Sequence, residues 1–103
     1  MSVKQLKYIH DFESATSMGT VVIDYKAKWC QPCSQIAPEV EKLAHQYPSI
    51  SFYKVDVDEA SDIASSVGIS AMPTFHFYKN GKLVDKIVGA NLPALKRKVA
   101  ELA

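Results

Sequence analysis

The residues best equipped for chemistry are two cysteines. Cys30 and Cys33 lie in the run Trp29-Cys30-Gln31-Pro32-Cys33 and are the only cysteines of the chain. If a helix starts here, one turn brings the two sulfurs within bonding reach and leaves the first thiol at the helix N-terminus. Unpaired backbone N–H groups and the positive end of the macrodipole favour a thiolate there. The second thiol, one turn further in, is expected to be the less accessible. Two thiols so placed suit thiol–disulfide exchange. Three other readings compete. A zinc finger needs more ligands, yet only His45 follows at a plausible distance and no second histidine stands three to five residues beyond it. A c-type haem site needs histidine directly after the second cysteine, where Ser34 stands. Two inert core cysteines remain open, although the start of a helix is a poor place for a buried pair. No metal and no organic cofactor is expected.

The rest of the chain must position that pair. At 103 residues it is one domain's length, and no Pro/Gly/Ser-rich linker, repeat or low-complexity stretch divides it, so residues 1–103 are expected to form one domain. Hydrophobic residues make up 48% and charged residues 22%, which is ordinary for a globular domain and excludes a disordered one. Twelve Lys+Arg against eleven Asp+Glu leave a net charge of +1, which gives no bulk reason to bind nucleic acid or an anionic membrane. Val21-Val22-Ile23 is the longest aliphatic run, far short of the roughly 20 residues a membrane span needs. Met1 to Lys7 shows no apolar segment with a small-residue cleavage site, so a secretory signal is not expected and a cytoplasmic setting is.

Elements follow from the patterning. Lys4–Tyr8 is expected to be a short strand, and Asp11 to cap a brief helix ending at Ser17-Met18-Gly19. Thr20–Tyr25 is β-branched and apolar almost throughout, as a strand covered on both faces must be. Ile36, Val40, Leu43, Ala44 and Tyr47 share one face of a helix over Cys33–Tyr47, with a kink rather than a break expected at Pro38. Ile50–Val57 predicts a strand, Ser61–Val67 a helix closed by Gly68. Asn80-Gly81 between Thr74–Tyr78 and Leu83–Val88 predicts a hairpin. Asn91 caps a last helix with Pro93 in its first turn. The order β-α-β-α-β-α-β-β-α makes the class α/β, with a mixed sheet covered by helices on both faces.

Several separate stretches, in order, carry a resemblance along nearly the whole chain. They are Val21-Val22-Ile23-Asp24-Tyr25, Trp29-Cys30-x-Pro32-Cys33, Pro38, Phe52 to Asp58, Ala71-Met72-Pro73-Thr74-Phe75, Asn80-Gly81 and Val88-Gly89-Ala90. On these the chain resembles the thioredoxins, more the eukaryotic cytosolic kind than the bacterial. The resemblance implies a five-stranded sheet in the order 1-3-2-4-5 flanked by four helices. It implies a protein disulfide reductase in which Cys30 attacks a substrate disulfide and Cys33 resolves the mixed disulfide. It also implies disulfide-containing protein substrates and regeneration by a thioredoxin-reductase-like flavoprotein.

The same resemblance assigns the supporting residues. Asp24, a charge in an apolar strand, must be paired, solvated or kept partly neutral; in thioredoxins an aspartate here is the base for the second cysteine, and Lys54 matches its electrostatic partner. Met72-Pro73 would be trans on sequence alone, whereas thioredoxins have a cis proline there, facing the dithiol. Trp29, Gln31, Pro32, Val57, Met72, Pro73, Gly89 and Ala90 then line a groove for an extended peptide. His76, between Phe75 and Phe77, reads as a packing residue, and His10 and His45 as surface ones. Three residues depart from the family: Gln31 stands in place of glycine, Lys26 in place of tryptophan or a small residue, and Ser34 in place of lysine or arginine. With Lys26 and Lys28 just before the nucleophile, the couple is expected to be slightly more oxidising than is usual. The rival functions are an oxidant or isomerase, and an adaptor whose redox state gates binding.

Overall fold

The computed structural model describes residues 2–103. Its elements are β1 (Lys4–Gln5), α1 (Ile9–Thr16), β2 (Thr20–Lys26), α2 (Gln31–Gln46), β3 (Ile50–Asp56), α3 (Ser61–Val67), β4 (Thr74–Lys79), β5 (Lys82–Val88) and α4 (Leu92–Leu102). The strands form one sheet in the order β1-β3-β2-β4-β5. β3 runs parallel to β1 and β2, while β4 is antiparallel to β2 and to β5. This is the expected mixed sheet with four helices.

Alternation along the strands builds two cores. Val22, Phe52, Phe75 and Phe77 face α2 and α4, where they meet Ile36, Val40, Leu43, Leu95 and Val99. Val21, Ile23, Tyr25 and Val55 face the other way, against Phe12 of α1 and Ile63 of α3. Such burial of several large apolar side chains on each face is the main stabilising contribution, and removing a buried Phe typically costs about 3–5 kcal/mol.

Local chemistry explains the boundaries. β1 is shorter than Lys4–Tyr8: Leu6 turns inward to a buried position and its N–H donates to the Lys54 carbonyl at 2.9 Å, after which the chain leaves the sheet. α1 starts at Ile9 with Tyr8 as its N-cap residue, so Asp11 sits in the first turn rather than capping it. α2 begins at Gln31, two residues before the expected Cys33, with Pro32 in its first turn, where a missing N–H costs nothing. It continues past Pro38 to Gln46 without a break. Gly68 closes α3 at φ 74°, and Asn80 (φ 50°) with Gly81 (φ 86°) form the hairpin turn that requires two left-handed residues. Asn91 Oδ1 accepts from the Ala94 N–H at 3.1 Å, capping α4 as expected.

β2 is the central strand and the one that feeds α2. The dithiol therefore stands at the point where the chain leaves the middle of the sheet and enters its longest helix.

Candidate active site

After Lys26 the chain turns through Ala27, Lys28 and Trp29, closed by the Cys30 N–H donating to the Ala27 carbonyl at 3.2 Å. Cys30 is the N-cap residue of α2, and its Sγ accepts the N–H of Cys33 at 3.2 Å. Sulfur thus takes the capping role that an oxygen usually fills, in a place where negative charge is favoured. Cys30 and Cys33 are joined in a disulfide, with Cα atoms 5.3 Å apart. Both are covered in this oxidised state, at 4% and 2% exposure, so the expected difference in access is small here. Ala27, Val57 and Met72 pack around the pair.

The other residues expected to line the groove come from four loops and the first turn of α2. Trp29 is 68% exposed, and its indole N–H donates to Asp58 Oδ2 at 3.0 Å. Asp56, buried at the end of β3, accepts from the backbone N–H groups of Asp58 (2.9 Å) and Glu59 (3.2 Å) and so fixes the loop that holds Val57 and Asp58. Met72-Pro73 is cis, as the resemblance implied. The Gly89 N–H donates to the Pro73 carbonyl at 2.8 Å, tying the loops before β4 and after β5 together. Gly89 has φ 100°, a conformation that itself calls for glycine. Gln31, Pro32 and Ala90 are exposed beside these groups. Cys30, Cys33, Trp29, Gln31, Pro32, Val57, Met72, Pro73, Gly89 and Ala90 therefore gather at one end of the sheet. Asp56 and Asp58 tie the β3 loop and Trp29 in place at this end of the sheet; the alternation Asp56-Val57-Asp58 directly after a strand is their only signal in the sequence.

Asp24 lies below this surface, buried, with Oδ1 lacking any partner. Loss of solvation raises its pKa to about 7, and the fields of Lys26 and then Lys54 oppose the rise. Asp24, Lys26 and Lys54 share a small cavity of about 50 Å³ with Ala37 and Val40 of α2. Ala37 is one helical turn beyond Cys33, so the carboxyl faces α2. Lys54 is thus not the only cation near Asp24: Lys26 acts on it more strongly, and neither makes an ion pair with it among the described residues.

The same contacts correct the expectation for the lysines. Lys26 Nζ lies 4.0 Å from Asp56 Oδ2, and Lys28 Nζ lies 3.3 Å from Glu59 Oε1. Each cation expected to act on Cys30 has its own carboxylate. His76 is buried and packs edge-on against Tyr25 at 5.0 Å between ring centroids, while His10 is exposed on α1 and His45 on α2. No helix is long and apolar enough to cross a membrane, and no cluster of three or more potential metal ligands occurs among the described residues.

Comparison with known proteins agrees with this geometry. The thioredoxin family profile matches residues 3–101. Thioredoxin-2 of Saccharomyces cerevisiae is 50% identical over 100 residues, spanning 95% of this chain and 96% of its own length. Thioredoxin H4-1 of Oryza sativa is 48% identical over 95 residues, spanning 91% and 72%. A thioredoxin structure from Plasmodium falciparum superposes with a TM-score of 0.94 at 41% identity, covering 98% of this chain and all of that one. Family, fold and paired cysteines converge on a protein disulfide reductase that works by dithiol–disulfide exchange through Cys30 and Cys33 on disulfide-containing proteins. This chain belongs to the thioredoxin family.

Proposed function

We propose the following division of labour. Cys30, as thiolate, attacks one sulfur of a substrate disulfide and expels the other as a thiolate, leaving a mixed disulfide. Cys33 loses its proton to Asp24, attacks Cys30 and releases the second substrate thiolate. Two electrons pass to the substrate, and Cys30–Cys33 ends as the disulfide. The observation that carries this order is the position of Cys30 at the N-cap of α2, with its Sγ accepting the Cys33 N–H. A donor at 3.2 Å and the helix dipole stabilise charge on Cys30 rather than on Cys33.

Asp24 suits the base role because burial holds its pKa at about 7, where it can both take and return a proton. The cavity it shares with Lys26, Lys54 and Ala37 has room for one water beside the carboxyl. Lys54 and Lys26 limit how far that pKa rises. Trp29, Gln31, Pro32, Val57, Met72, Pro73, Gly89 and Ala90 form the docking groove, in which the backbone at Met72 pairs with an extended peptide. We also propose that residues 1–103 act as one domain, that the setting is cytoplasmic, and that a thioredoxin-reductase-like flavoprotein supplies the electrons.

Insulin reduction by dithiothreitol tests the reading. Wild type should accelerate it strongly and Cys33→Ser should not, while forming a lasting adduct with the insulin chains. No acceleration by wild type would favour an adaptor, and strong oxidation of dithiols without reduction would favour an oxidant.

A further inference from the structure

Beyond the dithiol groove, a cleft of about 150 Å³ opens between the end of α3 and the β4–β5 hairpin. It exists because α3 is only seven residues long and stops at Gly68, leaving the β5 face that carries Val84, Lys86 and Val88 uncovered. His76 forms part of its wall and Lys86 stands beside it, directly opposite His76 in the β4–β5 register. Side chains so paired lie on one face with Cβ atoms about 5 Å apart. His76 is 3% exposed, and its Nδ1 has no hydrogen-bond partner. Lys86 makes no ion pair among the described residues, unlike Lys26, Lys28, Lys42 and Lys98. No carboxylate lines the cleft. The other ionisable group against His76 is Tyr25 from β2, whose buried hydroxyl also lacks a partner.

The cleft adjoins the groove. Thr74 and Val88, both in its wall, are the residues after Pro73 and before Gly89 and pair with each other across the hairpin. We propose that this cleft is a subsite for an acidic side chain of the disulfide-bearing polypeptide, with Lys86 as the counter-charge and His76 as a hydrogen-bond donor. The inference rests on the groove reading given above. It favours a carboxylate because the cleft offers a single ammonium in a wall that also carries the polar side chains Ser70, Thr74 and His76, which matches one negative charge on a short side chain. The occupant is a substrate residue because the cleft continues the surface along which the substrate strand would lie.

Disulfide-linked peptides that differ only by Glu against Gln, at successive positions two to four residues from the cysteine, test the idea. At one position wild type should prefer the Glu peptide by about three-fold in kcat/KM, through KM, as a partly exposed ion pair allows. Lys86→Gln should bring that ratio to one, His76→Leu should lower it, and His76→Gln, which keeps a donor, should retain it. A wild-type ratio of one at every position, or a ratio unchanged in Lys86→Gln, overturns the subsite. Ala90→Trp reads the groove separately. If it slows both peptides, the groove stands whatever the ratio; if it slows neither, the groove reading falls and the subsite with it.

Discussion

The indole N–H of Trp29 donates to the carboxylate of Asp58 at 3.0 Å, joining the turn before the dithiol to the loop after β3. The bond is exposed, and it carries the link between these segments beyond the last β2–β3 contact, the Val57 N–H to the Lys26 carbonyl at 2.9 Å. Asp58→Ala should free the ring, lower kcat/KM on protein substrates about two- to five-fold, and cost about 1 kcal/mol or less of stability. Trp29 is the only tryptophan in the chain, so its fluorescence reports the change directly. An unaltered emission spectrum in the variant would show that the bond does not position the ring.

Reduced protein treated briefly with iodoacetamide near pH 7 should be modified at Cys30. The helix N-terminus and the Cys33 N–H favour the Cys30 thiolate, whereas Cys33 lies within the helix and is buried. Peptide mass spectrometry checks the site, and modification chiefly at Cys33 would reverse the assigned roles.

Asp24 makes stability depend on pH with a definite sign. Its folded pKa of about 7 exceeds the ordinary aspartate value of 3.8, so between these values the folded state keeps a proton that the unfolded state has released. Stability therefore falls as pH rises from about 4 to 7 and is flat above, by a total on the order of 4 kcal/mol from this group. Asp24→Asn should remove that slope, raise the denaturant midpoint at pH 8, and slow turnover. A variant with a lower midpoint than wild type at pH 8 would show that the carboxylate is not a strained, buried acid.

Redox potential follows from the ion pairs. A bare cation near Cys30 would stabilise the reduced form and raise the potential, but Lys28 is held by Glu59 and Lys26 lies near Asp56. The potential should lie within a few millivolts of the −270 mV or so usual for thioredoxin. Glu59→Gln, which releases Lys28, should raise it by about 5–10 mV, the equivalent of a few tenths of a kcal/mol at an exposed site. Gln31→Gly should alter partner choice more than potential, since Gln31 is exposed and adds no charge. Equilibration with glutathione measures both variants.

The elements were legible wherever local chemistry and pattern agreed. Asn80-Gly81, Gly68, Asn91 and the apolar spacing from Ile36 to Ala44 each mark a structure that they also cause. β1 was overdrawn because two paired residues leave almost no periodic trace, and Leu6 is apolar for packing rather than for alternation. At the site, Cys30 and Cys33 were readable from position, and Pro73 only through the family, since nothing in Met72-Pro73-Thr74 favours cis. Asp56, Asp58 and Glu59 escaped notice because their roles are defined by partners far along the chain: Lys26, Trp29 and Lys28. An acidic stretch in sequence does not say which cation it will meet.

The two ends of the sheet bear on behaviour at high concentration. A net charge of +1 gives little mutual repulsion between molecules, so colloidal stability depends on how exposed backbone is guarded. β1 offers only two residues as a template for another chain. β5 is seven residues long with bare Leu83, Val84 and Val88, and it relies on Lys82, Asp85 and Lys86 spaced along it. Side-by-side antiparallel stacking of two such strands in one continuous sheet, centred on Asp85, would bring two Asp85–Lys98 ion pairs (2.8 Å) together and place charged Lys86 opposite apolar Val84. Those three side chains act as gatekeepers against edge-to-edge growth, and the strand that frames one wall of the proposed subsite also keeps the molecules apart.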